Sequence, residues 1–77
     1  MSQLVKNAIE LANNGKWAEA HDLVDGPSDL TAVWLHANLH REEGDESNAA
    51  YWYSKAGKPV STLSFSEERQ EILDSLN

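Results

Sequence analysis

The fold is decided by residues 34–57, which read WLHANLHREEGDESNAAYWYSKAG. Apolar side chains recur at helical spacing on both sides of Gly44, and the stretch lacks the alternation of period two that is typical of strands. A glycine between two such segments is suited to the left-handed conformation that ends a helix and turns the chain. Ala37 before the glycine and Ala49 after it are small enough to let two antiparallel helices lie close together. The stretch therefore predicts a helical hairpin, which we extend to residues 29–57.

The same signals occur once more, 29 positions earlier in the chain. Gly15 and Ala20 correspond to Gly44 and Ala49, with the same spacing of five between glycine and alanine. Helical apolar spacing again precedes the glycine and follows it. The sequence therefore predicts a first hairpin over residues 2–25, built on the same plan as the second.

The chain ends in one more amphipathic segment. Ser64 and Glu67 have the spacing of a capping box, in which each side chain bonds to the other's backbone at the start of a helix. Apolar residues then follow at helical spacing, namely Phe65, Ile72, Leu73 and Leu76. We predict a C-terminal helix over residues 65–76 that caps the two hairpins. The expected fold is all-α, with five helices in a single helical-repeat domain over residues 1–77.

The second hairpin places small, turn-forming and aromatic residues in a distinctive order, Ala37, Gly44, Ala49, Tyr53 and Ala56. This order resembles a degenerate tetratricopeptide-like (TPR/Sel1-like) repeat. The resemblance implies a stack of helical hairpins whose first helices line a concave face for protein partners. The same stretch contains the pattern HAxxHRxEGDxxNAxYWYxxAG, which resembles a hairpin of small uncharacterised bacterial proteins. That second resemblance implies no particular activity.

Length and charge exclude several classes of protein. A chain of 77 residues buries only about 60% of its unfolded surface, so its core is thin and depends on regular helix packing, a partner or a metal. The absence of cysteine excludes disulfides and thiolate metal sites. A net charge of −7 gives no basic stripe for nucleic acid, and no apolar run is long enough to span a membrane. We expect an acidic cytoplasmic protein with no cofactor and no nucleic-acid or membrane partner.

The histidines are the main candidates for chemistry. His36 and His40 are four positions apart, so both rings lie on one face of a helix, and His21 or Glu43 offers a third metal ligand. However, Ala37 stands where zinc hydrolases of the H-E-x-x-H type carry their glutamate. We favour structural histidines that are hydrogen-bonded to tyrosine or carboxylate neighbours, and we predict no metal site. A small metal-binding or enzymatic protein built on these residues is the alternative.

The consecutive aromatic residues from Tyr51 to Tyr53 point to an interaction surface. Neighbouring side chains on a helix diverge by about 100°, so the three rings cannot all enter one core. Tyr53 is the predicted core residue, and exposed tryptophan and tyrosine are common anchors of protein interfaces. We predict a non-enzymatic protein–protein interaction module whose partner is another protein or a second copy in a homodimer. The predicted surface consists of Trp34, Asn38, Arg41, Glu42, Tyr51 and Trp52.

Overall fold

The computed structural model describes residues 2–76, and within that range the backbone forms five α-helices and no strand. The helices are α1 (Ser2–Asn13), α2 (Trp17–Val24), α3 (Leu30–Glu42), α4 (Glu46–Ala56) and α5 (Phe65–Ser75). The predicted all-α fold of five helices is confirmed. Within the same range, none of these helices combines the length and the apolar character that crossing a membrane requires.

The turns after α1 and α3 have the same geometry. Gly15 and Gly44 have φ angles of 79° and 87°, in the left-handed region that favours glycine. In each turn, the amide of the residue after the glycine donates to the carbonyl five positions earlier, at 2.9 Å in the first turn and 3.0 Å in the second. The repeat in the sequence is therefore matched by a repeat of local backbone structure.

Side-chain caps fix where the last three helices begin. The carboxylates of Asp29 and Asp45 accept hydrogen bonds from backbone amides in the first turns of α3 and α4. Ser64 and Glu67 form the predicted capping box at the start of α5. The hydrogen bonds from Ser64 lower the pKa of Glu67, because they favour the ionised carboxylate.

Helix α3 is the centre of the molecule. Every residue from Ala32 to His40 is buried, and the other four helices described here all pack against α3. This burial agrees with the sequence of α3, whose apolar residues point in almost every direction around the helix axis. Its own Leu35 and Leu39 are fully buried, as are Val5 and Ile9 of α1 and Ile72 of α5.

Helix α5 lies against α3 and α1 and is joined to them by a buried carboxylate. Glu68 is 0% exposed, and its carboxylate accepts hydrogen bonds from four side chains. These are the hydroxyl of Tyr53 at 2.7 Å, the amide of Asn38 at 2.8 Å, the indole of Trp34 at 2.9 Å and the guanidinium of Arg41 at 3.0 Å. We call these five residues the Glu68 cluster.

Hydrogen bonds within this cluster raise the pKa values of two of its members. Burial raises the pKa of Tyr53, and its hydrogen bond to Glu68 raises it further. Burial opposes the positive charge of Arg41, yet its hydrogen bonds to Glu68 and Tyr53 outweigh that effect and raise its pKa. Beside the cluster, Arg69 of α5 forms an ion pair with Glu42 of α3. Helix α5 therefore docks through a specific polar contact as well as through apolar side chains.

Candidate metal centre

Three histidines come together between α2 and α3. His21 lies on α2, whereas His36 and His40 lie one turn apart on α3. One ring nitrogen of each residue lies within 4.8 Å of the corresponding nitrogen of the other two. The ring centres are separated by 4.7, 4.8 and 5.1 Å. We call these three residues the histidine cluster.

Glu43 holds His40 in one orientation. The Nδ1 atom of His40 lies 2.6 Å from Oε1 of Glu43. Because a carboxylate can only accept a hydrogen bond, this nitrogen carries a proton and donates it. The other ring nitrogen, Nε2, lies 3.1 Å from Nε2 of His36. This nitrogen of His40 therefore faces the histidine cluster.

His36 is the most deeply buried member of the cluster, with 1% of its surface exposed. Its Nδ1 atom is the one buried side-chain nitrogen or oxygen without a hydrogen-bond partner among residues 2–76. Burial, followed by the neighbouring rings of His21 and His40, lowers the pKa of His36 to about 4, although Asp25 opposes the shift. The ring is therefore neutral at pH 7 and has a lone pair to offer.

Two tryptophans form walls around the histidine cluster. The ring of Trp17 stacks on His21 with centres 4.9 Å apart, and Trp52 stacks on His36 at 3.9 Å. The indole nitrogen of Trp17 also donates to the carbonyl of Leu39 at 2.7 Å, which ties α2 to α3. These rings restrict water around the imidazoles and strengthen electrostatic interactions there.

Carboxylates lie at two edges of the histidine cluster. Oδ1 of Asp25 is 3.9 Å from Nε2 of His36, and its side chain is 61% exposed, so it has room to turn toward the ring. On the other side, Glu43 and Asp45 lie near His40, and one ligand atom of each is within 4.8 Å of the others. The cluster therefore has imidazole nitrogens at its centre and carboxylate oxygens at its edges.

The sequence named all the members of this site but favoured a different use for them. His36 and His40 lie on one face as expected, and His21 and Glu43 adjoin them. The expected carboxylate partner is correct for His40. The tyrosine named as the other possible partner, Tyr53, bonds to Glu68 instead, and the two α3 histidines bond to each other.

Two of the four α3 residues in the predicted interaction surface are buried, and the other two form ion pairs with α5. Trp34 and Asn38 are buried beneath α5, at 6% and 0% exposure. Arg41 pairs with the buried carboxylate of α5, and Glu42 pairs with the arginine next to it. The physical reason is that α5 lies on the side of α3 and α1 that the repeat resemblance assigned to a partner. The chain covers that side with its own helix.

The three consecutive aromatic residues of α4 separate as the helical geometry requires. Tyr53 is 1% exposed and belongs to the core, which confirms its prediction. Trp52 is half-buried against His36, and Tyr51 is 56% exposed. Of the predicted interaction surface, Tyr51 and Glu42 are therefore exposed and Trp52 is half-buried.

No protein-family model, curated protein or solved structure matches the chain. The likeness to tetratricopeptide-like repeats and to the small bacterial hairpins stays a prediction.

Sequence reasoning missed the roles of Glu68 and Arg69, although the sequence carries a signal for them. The apolar stripe of α5 contains Phe65, Ile72 and Leu73 but has a gap one turn after the phenylalanine. Positions 68 and 69 fill this gap at helical spacing, so charged residues there face the core and need partners. By contrast, the nearness of Asp25 and Trp17 to the histidine cluster follows from tertiary packing and has no local signal.

Proposed function

We propose that the chain binds one divalent transition-metal ion, foremost zinc, through His21, His36 and His40. The observation that carries the proposal is the convergence of one ring nitrogen from each residue within 4.8 Å. Three protein ligands with a fourth position for a carboxylate or water form a common zinc arrangement. The remaining contacts of the site support the same conclusion.

The distances are close to those of a coordinated metal. With Zn–N bonds of about 2.0–2.1 Å, neighbouring ligand nitrogens in a tetrahedral site lie about 3.3 Å apart. The Nε2 atoms of His36 and His40 already lie 3.1 Å apart. The half-buried ring of His21 needs to move by at most about 1.5 Å, from 4.8 Å to about 3.3 Å. Asp25, at 3.9 Å from His36, is the side chain best placed to supply a fourth ligand.

The protonation pattern also fits a metal site. Metal-bound histidine usually donates its second ring nitrogen to a carboxylate or carbonyl, which fixes the ring and increases its basicity. Glu43 supplies this contact to Nδ1 of His40. Ligand histidines must be neutral, and burial keeps His36 neutral at pH 7 by lowering its pKa to about 4. In the folded chain, His40 is therefore already oriented and His36 is already neutral, as metal binding requires.

The type of ligand limits the choice of metal. Imidazole nitrogen suits zinc, copper, nickel and iron, whereas magnesium and calcium prefer sites built from oxygen. Three imidazoles with one carboxylate and no thiolate favour zinc among the abundant ions. Copper binds such sites more tightly than zinc does, and nickel binds them with comparable affinity. Both ions therefore serve as probes in the laboratory.

Metal binding supplies the additional stabilisation that a domain of this size generally needs. A bound ion joins α2 to α3 at the middle of the molecule, where a thin core leaves little other stabilisation. The proposed role is binding without catalysis, since Glu43 already serves as a hydrogen-bond partner of His40. We propose that the protein acts in the cytoplasm, and the acidic charge of −7 supports the absence of nucleic acid from its partners.

Calorimetric titration of zinc into protein without a histidine tag tests the proposal. We expect one zinc ion per chain, with a Kd of about 1 µM or tighter. His21→Gln and His40→Gln should each weaken binding at least about tenfold because each removes a ligand, and Glu43→Gln should weaken it about 10–100-fold. Asp22→Asn is the matched control, because it removes an exposed carboxylate of α2 beside His21 and should leave the Kd unchanged.

Circular dichroism of each variant separates loss of a ligand from loss of the fold. His21 is half-buried, so His21→Gln keeps the test meaningful even if a substitution at a more buried histidine unfolds the chain. Folded variants that bind zinc as tightly as the wild type would contradict the proposal. So would zinc binding that Asp22→Asn weakens as much as His21→Gln.

The second candidate function is the non-enzymatic protein-interaction module predicted from the sequence. Tyr51 on α4 supports it, since a tyrosine with 56% exposure is well placed to contact a partner. The contact surface moves, however, from the α3 residues that α5 covers to the outer side of α4. Self-association into a homodimer stays one form of this candidate, and light scattering at high protein concentration tests it.

A further inference from the structure

The three rings of the histidine cluster differ in what holds them in place. Glu43 accepts a hydrogen bond from Nδ1 of His40 and so fixes the orientation of that ring. Nδ1 of His36, in contrast, has no hydrogen-bond partner within residues 2–76. The ring of His21 lies among other aromatic rings, those of Trp17 and of the two α3 histidines. For His36 and His21, stacked rings are therefore the candidates for this orienting contact.

A metal ligand must have the correct rotation as well as the correct position. The lone pair of an imidazole nitrogen lies in the plane of the ring, so this plane has to contain the metal ion. The torsion that rotates a histidine ring is broad, and a freely rotating ring points its nitrogen at the metal for only part of the time. A hydrogen bond to the second nitrogen removes this freedom in most metal sites. A flat group against the face of the ring removes it as well, because rotation would cause a clash.

Trp52 of α4 provides such a flat group for His36. The two ring centres are 3.9 Å apart, and the planes differ by 15°. The indole is itself held from outside the cluster. The ring of Tyr51 meets it at 83°, with centres 5.2 Å apart, and the ammonium of Lys55 lies 5.0 Å from its centre. The plane of the His36 ring is therefore fixed by stacking, although its Nδ1 atom has no partner.

Trp17 of α2 has the same relation to His21. The two residues are four positions apart on one helix, so their side chains share a face. Their rings are nearly parallel, with planes 11° apart and centres separated by 4.9 Å. A hydrogen bond of 2.7 Å from the indole nitrogen to the carbonyl of Leu39 anchors the indole to α3. The wider spacing of this stack leaves His21 room for the small movement toward a metal ion.

We propose that Trp17 and Trp52 are positioning residues of the metal site, which set the ring planes of His21 and His36 for metal binding. This inference rests on the proposed metal binding and adds how two of the three ligands are oriented. The indole nitrogen is a donor only, so neither tryptophan is itself a ligand. The chain orients one ligand by a hydrogen bond and the other two by stacking.

Zinc titration of aromatic variants tests this proposal. Trp17→Leu and Trp52→Leu remove the flat face but keep an apolar side chain, and each should weaken zinc binding about three- to tenfold. Trp52→Phe keeps a ring that can stack on His36, so its Kd should stay within about twofold of the wild type. Phe65→Leu is the matched control, because it removes another half-buried aromatic ring, one that contacts Arg41, and should leave the Kd unchanged.

Double variants separate positioning from a general loss of stability. In the His21→Gln background the ring that Trp17 orients is absent, so Trp17→Leu should not weaken the remaining zinc binding further. Trp52→Leu acts through His36 and should weaken zinc binding by the same factor in both backgrounds. If Trp17 only stabilised the fold, Trp17→Leu would have the same effect with and without His21.

The visible absorption spectrum of the cobalt(II)-loaded protein is a second measurement, because its bands depend on the geometry of the ligands. We expect Trp52→Leu to shift or broaden these bands and Trp52→Phe to retain them. Phe65→Leu should give the wild-type spectrum. Circular dichroism shows which variants are folded. If Trp17→Leu does not fold because it loses the hydrogen bond to Leu39, the two variants of Trp52 decide the test.

The outcomes distinguish this proposal from the metal site on which it rests. A wild type that does not bind zinc would overturn both. Zinc binding that depends on His21 and His40 but is unchanged in folded Trp17→Leu and Trp52→Leu would overturn the positioning role alone. The same would follow if Trp17→Leu weakened zinc binding equally in the wild-type and His21→Gln backgrounds.

Discussion

Two buried polar clusters lie on different sides of α3, and they differ in how completely their atoms are paired. In the Glu68 cluster, four side chains donate hydrogen bonds to one carboxylate that is 0% exposed. In the histidine cluster, three rings face one another, and Nδ1 of His36 has no partner. Both clusters belong to one small core, so the difference in hydrogen bonding indicates that they have different roles.

The Glu68 cluster contains both donors and an acceptor, so the chain completes it alone. In the histidine cluster, Nδ1 of His40 donates outward to Glu43, whereas Nδ1 of His36 has no partner. A metal cation is one group that satisfies ring nitrogens gathered at a buried point. The Glu68 cluster is therefore structural, and the incomplete pairing of the histidine cluster supports the proposal that it is a binding site.

The largest effect is expected for Glu68→Ala. This change leaves the guanidinium of Arg41 and three neutral donors buried without their acceptor, so the free energy of unfolding should fall by about 3–5 kcal/mol. Urea denaturation measures the loss. Glu71→Ala, an exposed change on the same helix, is the control and should stay within about 0.5 kcal/mol of the wild type. Equal losses in both variants would mean that the buried carboxylate does not hold α5 in place.

The second prediction concerns pH and the histidine cluster. The unfolded chain binds a proton at His36 near pH 6.5, whereas the folded chain does so only near pH 4. The unfolded state therefore gains protons first as the pH falls, and the free energy of unfolding of the metal-free protein should decrease between pH 6.5 and 4. The slope due to this residue is at most about 1.4 kcal/mol per pH unit.

Chemical denaturation at a series of pH values, compared between wild type and His36→Leu, isolates this slope. The variant lacks the titrating ring, so its stability should depend less on pH in that window. A wild-type stability that rises as the pH falls from 6.5 to 4, relative to the variant, would contradict the buried neutral state of His36.

The smallest effect is expected for the stability of His36→Leu itself at pH 7. Leucine has a similar volume and removes the unpaired Nδ1 atom, so the loss of its contact with His40 should be largely offset. We expect metal-free stability within about 1.5 kcal/mol of the wild type, together with loss of zinc binding. A loss as large as that of Glu68→Ala would show that the two clusters do not differ in the way described.

The helices and their turns could be predicted because their signals are local. Gly15 and Gly44 mark left-handed turns, and Ser64 and Glu67 mark the start of α5 by hydrogen bonds within one turn. The placement of His36 and His40 on one face of α3 followed equally from helical periodicity. These features depend on residues that are close together in the sequence.

The packing of α5 and the completion of the histidine cluster could not be predicted in the same way. The contact of Glu68 with Trp34 spans 34 positions, and the indole of Trp17 reaches Leu39 across 22 positions. Such contacts depend on how the helices are stacked, which periodicity does not specify. For this reason the sequence assigned the side of α3 near Trp34 to a partner, whereas the chain's own last helix occupies it.

Anomalous diffraction at the zinc edge, from crystals of the tag-free protein grown with one equivalent of zinc, locates the bound metal ion itself. We expect one strong peak between α2 and α3, within about 2.1 Å of a ring nitrogen of His21, His36 and His40. Zinc peaks confined to surface carboxylates, with no density between these three rings, would contradict it.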